Sequence, residues 1–220
     1  SLRKGGNKMK EVVLSGEDLF FLSRIMKAKY MDYDYVKILS ELSSRYALKE
    51  SIALENLSNK GLVYEDFSGE VEVEDLGREL FEPVFPTVED ADKLRRYINT
   101  VNRWELVIED RESLQRYKFH VLNNRYIQVK IEDNMLYVKE VCKEDILDYL
   151  PFIEEKEKTL LPLDYFEDKE LDGIMVLKRQ KINGRSQRIQ LVNEKGVFYK
   201  SRGLKITSLT KEDIKELIKT

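Results

Sequence analysis

The chain has 220 residues, 42% apolar and 36% charged, with a net charge of −3. That is enough apolar material for one large core, or two small ones sharing a sheet, and no surplus charge demands a polyanionic partner. No apolar run approaches the roughly 18 residues of a membrane span, and a single cysteine, Cys142, excludes a disulfide scaffold and a cysteine-built zinc site.

Residues 1–8 read as a tag and non-native leader. Ser1-Leu2 look like a cloning scar, and Arg3 to Lys8 are what a purine-rich ribosome-binding sequence would give if translated, so Met9 is the expected start and a bacterium, such as a low-GC Gram-positive, the expected source. Val12-Val13-Leu14 is a short apolar strand. Ser15-Gly16-Glu17-Asp18 then supplies an N-cap with first-turn acids, and Leu19, Leu22 and Met26 share one face of the helix that follows. A second helix is expected from about Tyr35 to Tyr46, burying Val36, Leu39 and Leu42. A third is expected from Lys49 to Ser58, burying Ile52, Leu54 and Leu57 and stopped by Gly61. A Gly-centred hairpin and a short helix around Leu76 to Phe81 follow. Pro83 and Pro86 interrupt the chain before helical spacing resumes from Val88 to Asn99.

From Trp104 the apolar period changes to two. Trp104/Leu106/Ile108, Phe119/Val121, Ile127/Val129/Ile131 and Met135/Tyr137 are predicted strands, the last two joined at Glu132-Asp133-Asn134. A helix from Lys143 to Leu150 ends at Pro151. The acidic, proline-bearing stretch 151–170 reads as a connector with at most a fragment of helix. Strands return at Ile174 to Leu177, Ile189/Leu191 and Val197/Tyr199, with turns at Asn183-Gly184 and Glu194-Lys195-Gly196.

The two strand-rich segments repeat. Ile127-Gln128 matches Ile189-Gln190 and Leu136-Tyr137 matches Phe198-Tyr199 at an offset of 62, while Lys143-Glu144-Asp145-Ile146 recurs as Lys211-Glu212-Asp213-Ile214 at an offset of 68. The expected organisation is a single α+β domain over 9–220. Its two related halves, 9–150 and 171–220, are joined by the connector 151–170. KEDI itself reads as a helix amino end with acids in its first turn.

Residues 54–73, LENLSNKGLVYEDFSGEVEV, have the outline of a winged-helix DNA reader: helix, glycine stop, hairpin. A DNA reader needs cations where phosphates lie. The hairpin instead carries Glu65, Asp66, Glu70, Glu72, Glu74 and Asp75 with no Lys or Arg, and these repel a duplex over a Debye length of ~8 Å. A basic stretch between Leu177 and Lys205 (Lys178, Arg179, Lys181, Arg185, Arg188, Lys195, Lys200, Arg202 and Lys205 against Glu194) keeps a nucleic-acid-binding or regulatory role as the alternative. Few aromatics there are placed to stack on bases.

Catalytic signatures are missing from the sequence. His120 alternates within a strand and reads as a half-buried structural histidine. Cys142 lies beside Glu144 and Asp145, a setting that does not favour a nucleophilic thiolate. With no Gly-rich phosphate loop, metal-spaced His/Cys set or nucleophile elbow, the chain is expected to be no enzyme and to take no cofactor or metal.

The order of elements then becomes the informative feature. An opening VVLSGEDLFFL, a helix ending ALENLSNKGLV before an acidic hairpin, a strand-rich middle, the stretch Asp145 to Pro151 and a short closing helix together resemble the EspG family of type VII secretion chaperones and its Gram-positive relatives. The resemblance implies a central antiparallel sheet with quasi-two-fold halves flanked by helices. It also implies a non-enzymatic cytosolic chaperone or adaptor that holds a helical secreted protein by an exposed apolar tip until export. No membrane partner is expected, the charge pattern disfavours a nucleic-acid partner, and a monomer or homodimer is left open. Partner contact is expected at the loop joining the second and third strands, Glu109, Asp110, Arg111, Glu112 and Leu114. No substrate-reading motif of the family matches this loop residue by residue. Trp104 and the 12 tyrosines are candidate anchors, with a core role favoured for Trp104.

Overall fold

The computed structural model describes residues 11–29, 31–43, 49–85, 103–110, 115–148, 159–169, 173–180 and 186–218. The expected leader, the helix Val88–Asn99, the Asn183-Gly184 turn and residues 111–114 lie outside the described residues, as does the Trp104 side chain.

The amino-terminal part contains β1 (Val12–Ser15), α1 (Gly16–Ile25), α2 (Tyr33–Ser43), α3 (Glu50–Asn59), β2 (Val63–Glu65), β3 (Val71–Val73) and α4 (Asp75–Phe81). A meander follows: β4 (Arg103–Asp110), β5 (Gln115–Leu122), β6 (Arg125–Glu132) and β7 (Met135–Val141), closed by α5 (Lys143–Asp148). After β8 (Leu160–Pro162) and a 3-10 turn (Leu163–Phe166) comes a second meander, β9 (Gly173–Gln180), β10 (Ser186–Glu194), β11 (Val197–Arg202) and β12 (Lys205–Leu209), closed by α6 (Lys211–Ile218).

Ten described strands form one antiparallel sheet in the order β1-β7-β6-β5-β4-β9-β10-β11-β12-β8, and β2-β3 form a separate hairpin. β4 and β9 run side by side down the middle, Leu106 opposite Leu177. From that seam each half steps outward through three more meander strands to an edge strand, β1 or β8, that precedes its meander in the chain. The sheet therefore has quasi-two-fold halves. The stretch 151–170 contributes β8, which pairs with β12, in addition to the 3-10 turn.

Sheet order fixes which strands are equivalent: β4 with β9, β5 with β10, β6 with β11 and β7 with β12. The KEDI helices α5 and α6 occupy matching places at the expected offset. The match at 62 does not hold, because it lays β6-β7 on β10-β11, one strand out of step. Alternating strands joined by tight turns resemble one another whichever pair is compared. Three of these hairpins turn through two residues with positive φ, Asn123-Asn124, Asp133-Asn134 and Lys195-Gly196, the backbone that matches the strands' twist.

The cores follow from alternation. One face of the first half carries Val12, Leu14, Ile127, Val129, Leu136 and Val138, and packs under Leu19, Leu22, Leu57 and Phe81 of the amino-terminal helices. The other face carries Leu106, Phe119, Val121, Leu191 and Phe198, covered by Ile146 of α5 and Ile214 of α6. A smaller cluster, Val197, Tyr199 and Ile206, lies against Phe166 of the 3-10 turn.

One device begins the helix at three strand-to-helix junctions. Asp18, Asp145 and Asp213 each accept a hydrogen bond from the backbone N–H three residues earlier, at Ser15, Cys142 and Thr210, over 3.3, 3.0 and 2.9 Å. Ser15 and Thr210 return the bond to the aspartate N–H at 3.1 and 3.2 Å, completing a capping box. The next residue in each case, Leu19, Ile146 or Ile214, is fully buried. The KEDI repeat is thus a cap followed by an anchor.

The face of α2 departs from expectation by one residue, and in α3 Leu57 is buried as expected while Ile52 is not. α2 buries Tyr35 and Ile38 and leaves Val36 44% exposed; α3 buries Ala53 and Leu57 and leaves Ile52 48% exposed. In α3 the small Ala53 is buried in the core, and the helix packs against α1. In α2 a polar anchor, described next, sets the rotation.

Candidate functional site

α2 crosses the first half of the sheet through a network of charged and polar side chains. Arg116, Lys118 and His120 alternate along β5, so all three point from the same face toward α2. Asp32 caps α2: its Oδ1 accepts from the Asp34 N–H at 3.1 Å, and its other oxygen pairs with the Lys118 ammonium. Lys118 also lies 3.4 Å from Asp34, which Arg116 grips at 2.9 Å, and its Nζ sits 5.8 Å from the Tyr35 ring centre. The carboxylate that starts the helix is thus the one that fastens it to the sheet.

Burial pushes the Asp32 carboxyl upward, but the hydrogen bond and charge of Lys118, with help from the Asp34 N–H, outweigh it and hold Asp32 below the usual carboxylate range. Beneath this layer the Tyr35 hydroxyl meets His120 Nε2 at 2.6 Å, both groups buried, and His120 Nδ1 faces Glu105 at 3.7 Å. Burial and the nearby carboxylates of Asp32 and Glu105 raise Tyr35 well above the ordinary phenol value, so it stays a hydroxyl able to donate. A neutral His120 then accepts at Nε2 and keeps its proton at Nδ1, toward Glu105. The structural reading of His120 stands, with burial deeper than the half expected: the residue is 2% exposed.

Beside this network a groove of about 290 Å³ opens between α2 and the ends of β5, β6 and β7. Its apolar lining is Tyr35, Ile38, Val129 and Ile131; Lys37, Glu41, Arg116 and Asn134 form much of its polar rim. Ile131 is substantially exposed there. Arg116 and Lys118 are already compensated by Asp34 and Asp32, so the groove has no strong net pull on a phosphate. No cluster of metal-ligating side chains occurs among the described residues. What it offers is an apolar slot with a polar rim, the form of an anchor pocket for a protein partner.

Of the expected contact residues, only the backbone of the first two is described. Glu109 and Asp110 end β4, where backbone pairing places them opposite Arg116 and Gln115 on one side and Ile174 and Gly173 on the other. Their side chains, and all of Arg111, Glu112 and Leu114, lie outside the described residues. Sequence reasoning missed Tyr35, Lys118 and Asp32. Asp32 had a readable signal, an aspartate just ahead of an apolar-periodic run; the Tyr35–His120 contact, 85 residues apart in the chain, had none.

The winged-helix outline is real locally: α3 ends at Lys60, Gly61 takes φ +70°, and β2-β3 form the hairpin. Lys60 is drawn inward to Asp18 at 3.2 Å. The hairpin keeps its carboxylates, Tyr64 donating to Glu72 across the strands, so the objection to DNA stands on the folded shape. In the basic stretch, the side chains of residues 178–188 lie outside the described residues. Cys142 is exposed beside the cap of α5. No described helix is long and apolar enough to cross a membrane.

Fold and groove together define an α+β protein with a ten-stranded, quasi-two-fold antiparallel sheet, counted over the described strands, and an apolar groove beside α2. No protein-family model matches the chain, and no curated protein sequence does. Among solved structures, the chain is similar to the type VII secretion system chaperone EspG5 of Mycobacterium tuberculosis, solved in complex with the PE25–PPE41 dimer. The TM-score is 0.56 at 8% identity, over 96% of this chain and 95% of that one. At that identity the likeness is one of fold, and it extends over nearly the whole length of both chains.

Proposed function

We propose that this protein is a non-enzymatic cytosolic chaperone or adaptor that holds a helical type VII secretion substrate before export. The observation that carries the reading is the fold-wide likeness to EspG5, a chaperone solved together with the PE25–PPE41 dimer. The groove between α2 and β5-β7 supports the reading. An amphipathic helical tip presents an apolar side chain to Ile38 and Ile131, while its polar flank meets Lys37, Glu41 and Arg116. Glu109, the first of the expected contact residues, is the backbone partner of Arg116 on the groove's rim, which favours including Glu109 to Leu114 in the docking surface. Residues 9–220 act as one domain in this reading, the two halves supplying a rigid platform.

Co-expression with small helical proteins encoded beside the gene, followed by size exclusion, tests the proposal. A stable heterocomplex is expected, and Ile131→Glu, which places a charge in the apolar slot, should abolish it without changing the melting temperature of the free chain. Failure of every helical neighbour to co-elute would reject the reading.

A further inference from the structure

The β2-β3 hairpin presents an aromatic side chain to water on a rigid support. Phe67, at its tip, has a relative exposure of 113%, and Tyr64 on the adjoining strand is also exposed. The turn that carries Phe67 is tightly determined. Asp66 Oδ1 accepts from the Ser68 N–H at 2.8 Å, the Ser68 hydroxyl at 2.7 Å and the Glu70 N–H at 2.9 Å. The Asp66 N–H donates to the Glu70 carbonyl at 2.8 Å, and Gly69 takes φ +84°, a conformation that suits glycine. The base is equally fixed: Leu62 and Val63 are buried, the Glu74 N–H donates to the Leu62 carbonyl at 2.9 Å, and α4 crosses so near that a Cβ on Gly77 would lie 2.4 Å from that carbonyl.

An exposed aromatic held this way loses little freedom on docking, which is what makes an anchor residue effective. Its surroundings narrow the partner. Glu65, Asp66, Glu70, Glu72, Glu74 and Asp75 flank the tip, with no Lys or Arg between Gly61 and Gly77. Nucleic acid and anionic membrane surfaces are repelled by that field. A protein surface with cations around an apolar pocket satisfies both features at once.

We propose that the β2-β3 hairpin is a docking knob whose Phe67 ring enters an apolar pocket, rimmed by Lys and Arg, on a protein partner. This surface is distinct from the α2 groove and does not depend on the chaperone reading. The test replaces Phe67 with the photo-crosslinking residue p-benzoylphenylalanine in the full chain, expressed in cells of the source organism. The adduct is identified, and the captured protein is then made recombinantly and titrated against the wild-type chain, Phe67→Ser and Ile131→Glu. The expected result is one protein adduct whose Kd weakens about 30-fold or more with Phe67→Ser, weakens with added salt and is unaffected by Ile131→Glu, at unchanged melting temperature. The proposal is overturned by the absence of a protein adduct or by an adduct that is a second copy of this chain. It is equally overturned by a captured protein that binds Phe67→Ser as tightly as wild type, or by retention of nucleic acid or anionic vesicles at the tip.

Discussion

Replacing Lys118 with methionine keeps the length of the side chain and removes its charge. In the folded protein this removes the ion-pair partner of Asp32, which caps α2, whereas Asp34 retains Arg116 at 2.9 Å. Breaking a buried pair from one side costs about 3–5 kcal/mol. Since one carboxylate of the two keeps a partner, the lower end applies, about 3 kcal/mol. For a domain of this size that lowers the melting temperature by roughly 6–12 °C. The loss depends on pH. In the wild type, Asp32 is held below its unfolded value, so it contributes stability that is present above about pH 4 and is lost as pH falls through the folded pKa. Without Lys118 the burial that opposes ionisation is no longer outweighed. The Asp32 pKa then rises above its unfolded value, and the penalty shrinks as pH falls and the carboxylate protonates. Urea titrations of both proteins at pH 7 and near pH 4 measure this directly, and adding Asp32→Asn to the variant should recover part of the loss at pH 7. A penalty below about 1 kcal/mol at pH 7, or one that stays the same at both pH values, would refute the assignment of this pair as the clamp between α2 and the sheet.

Other perturbations probe separate elements. Tyr35→Phe removes the hydroxyl that meets His120 Nε2 at 2.6 Å and so breaks a buried hydrogen bond, and denaturant titration should show a loss of about 0.5–1.5 kcal/mol. Gly77→Ala drives a methyl into the Leu62 carbonyl and the Val73 side chain, at 2.4 and 2.8 Å, and should cost about 1–3 kcal/mol, seen as a lower thermal midpoint. Thr210→Ala removes the hydroxyl half of the α6 capping box and should cost about 1 kcal/mol in the same titration. Cys142→Ala, at a position where the backbone N–H makes the bond to Asp145, should cost less than half of that.

What the sequence shows of this fold is its local chemistry. The strands from Trp104 onward are legible because period-two alternation and positive-φ turn residues are written into adjacent positions. The helix starts at Ser15, Lys143 and Lys211 are legible because a cap and its anchor lie within five residues. β12 and β8 were not found. β12 buries Ile206 and Ser208 on one face, so its inward positions are not uniformly apolar, and β8 is three residues long within an acidic stretch. The face of α2 was misread by one residue for a related reason. A polar side chain can be the buried one when its partner comes from elsewhere, as His120 does for Tyr35. The halves were seen through KEDI, yet the hairpin alignment slipped by a strand because alternation repeats within each half as well as between them. The groove joins residues 34–41 to residues 116–134, a juxtaposition that only the paired sheet creates.

The central claim is that this chain holds a helical protein in the groove between α2 and β5-β7. The most direct measurement is size exclusion with mass detection on the chain co-expressed with each helical protein encoded beside its gene, using wild type and Ile131→Glu in parallel. A heterocomplex that forms with the wild type and is lost in Ile131→Glu, with equal melting temperatures for the two free chains, is the predicted outcome. A wild-type chain that elutes alone in every combination, or a complex that survives Ile131→Glu undiminished, would contradict it.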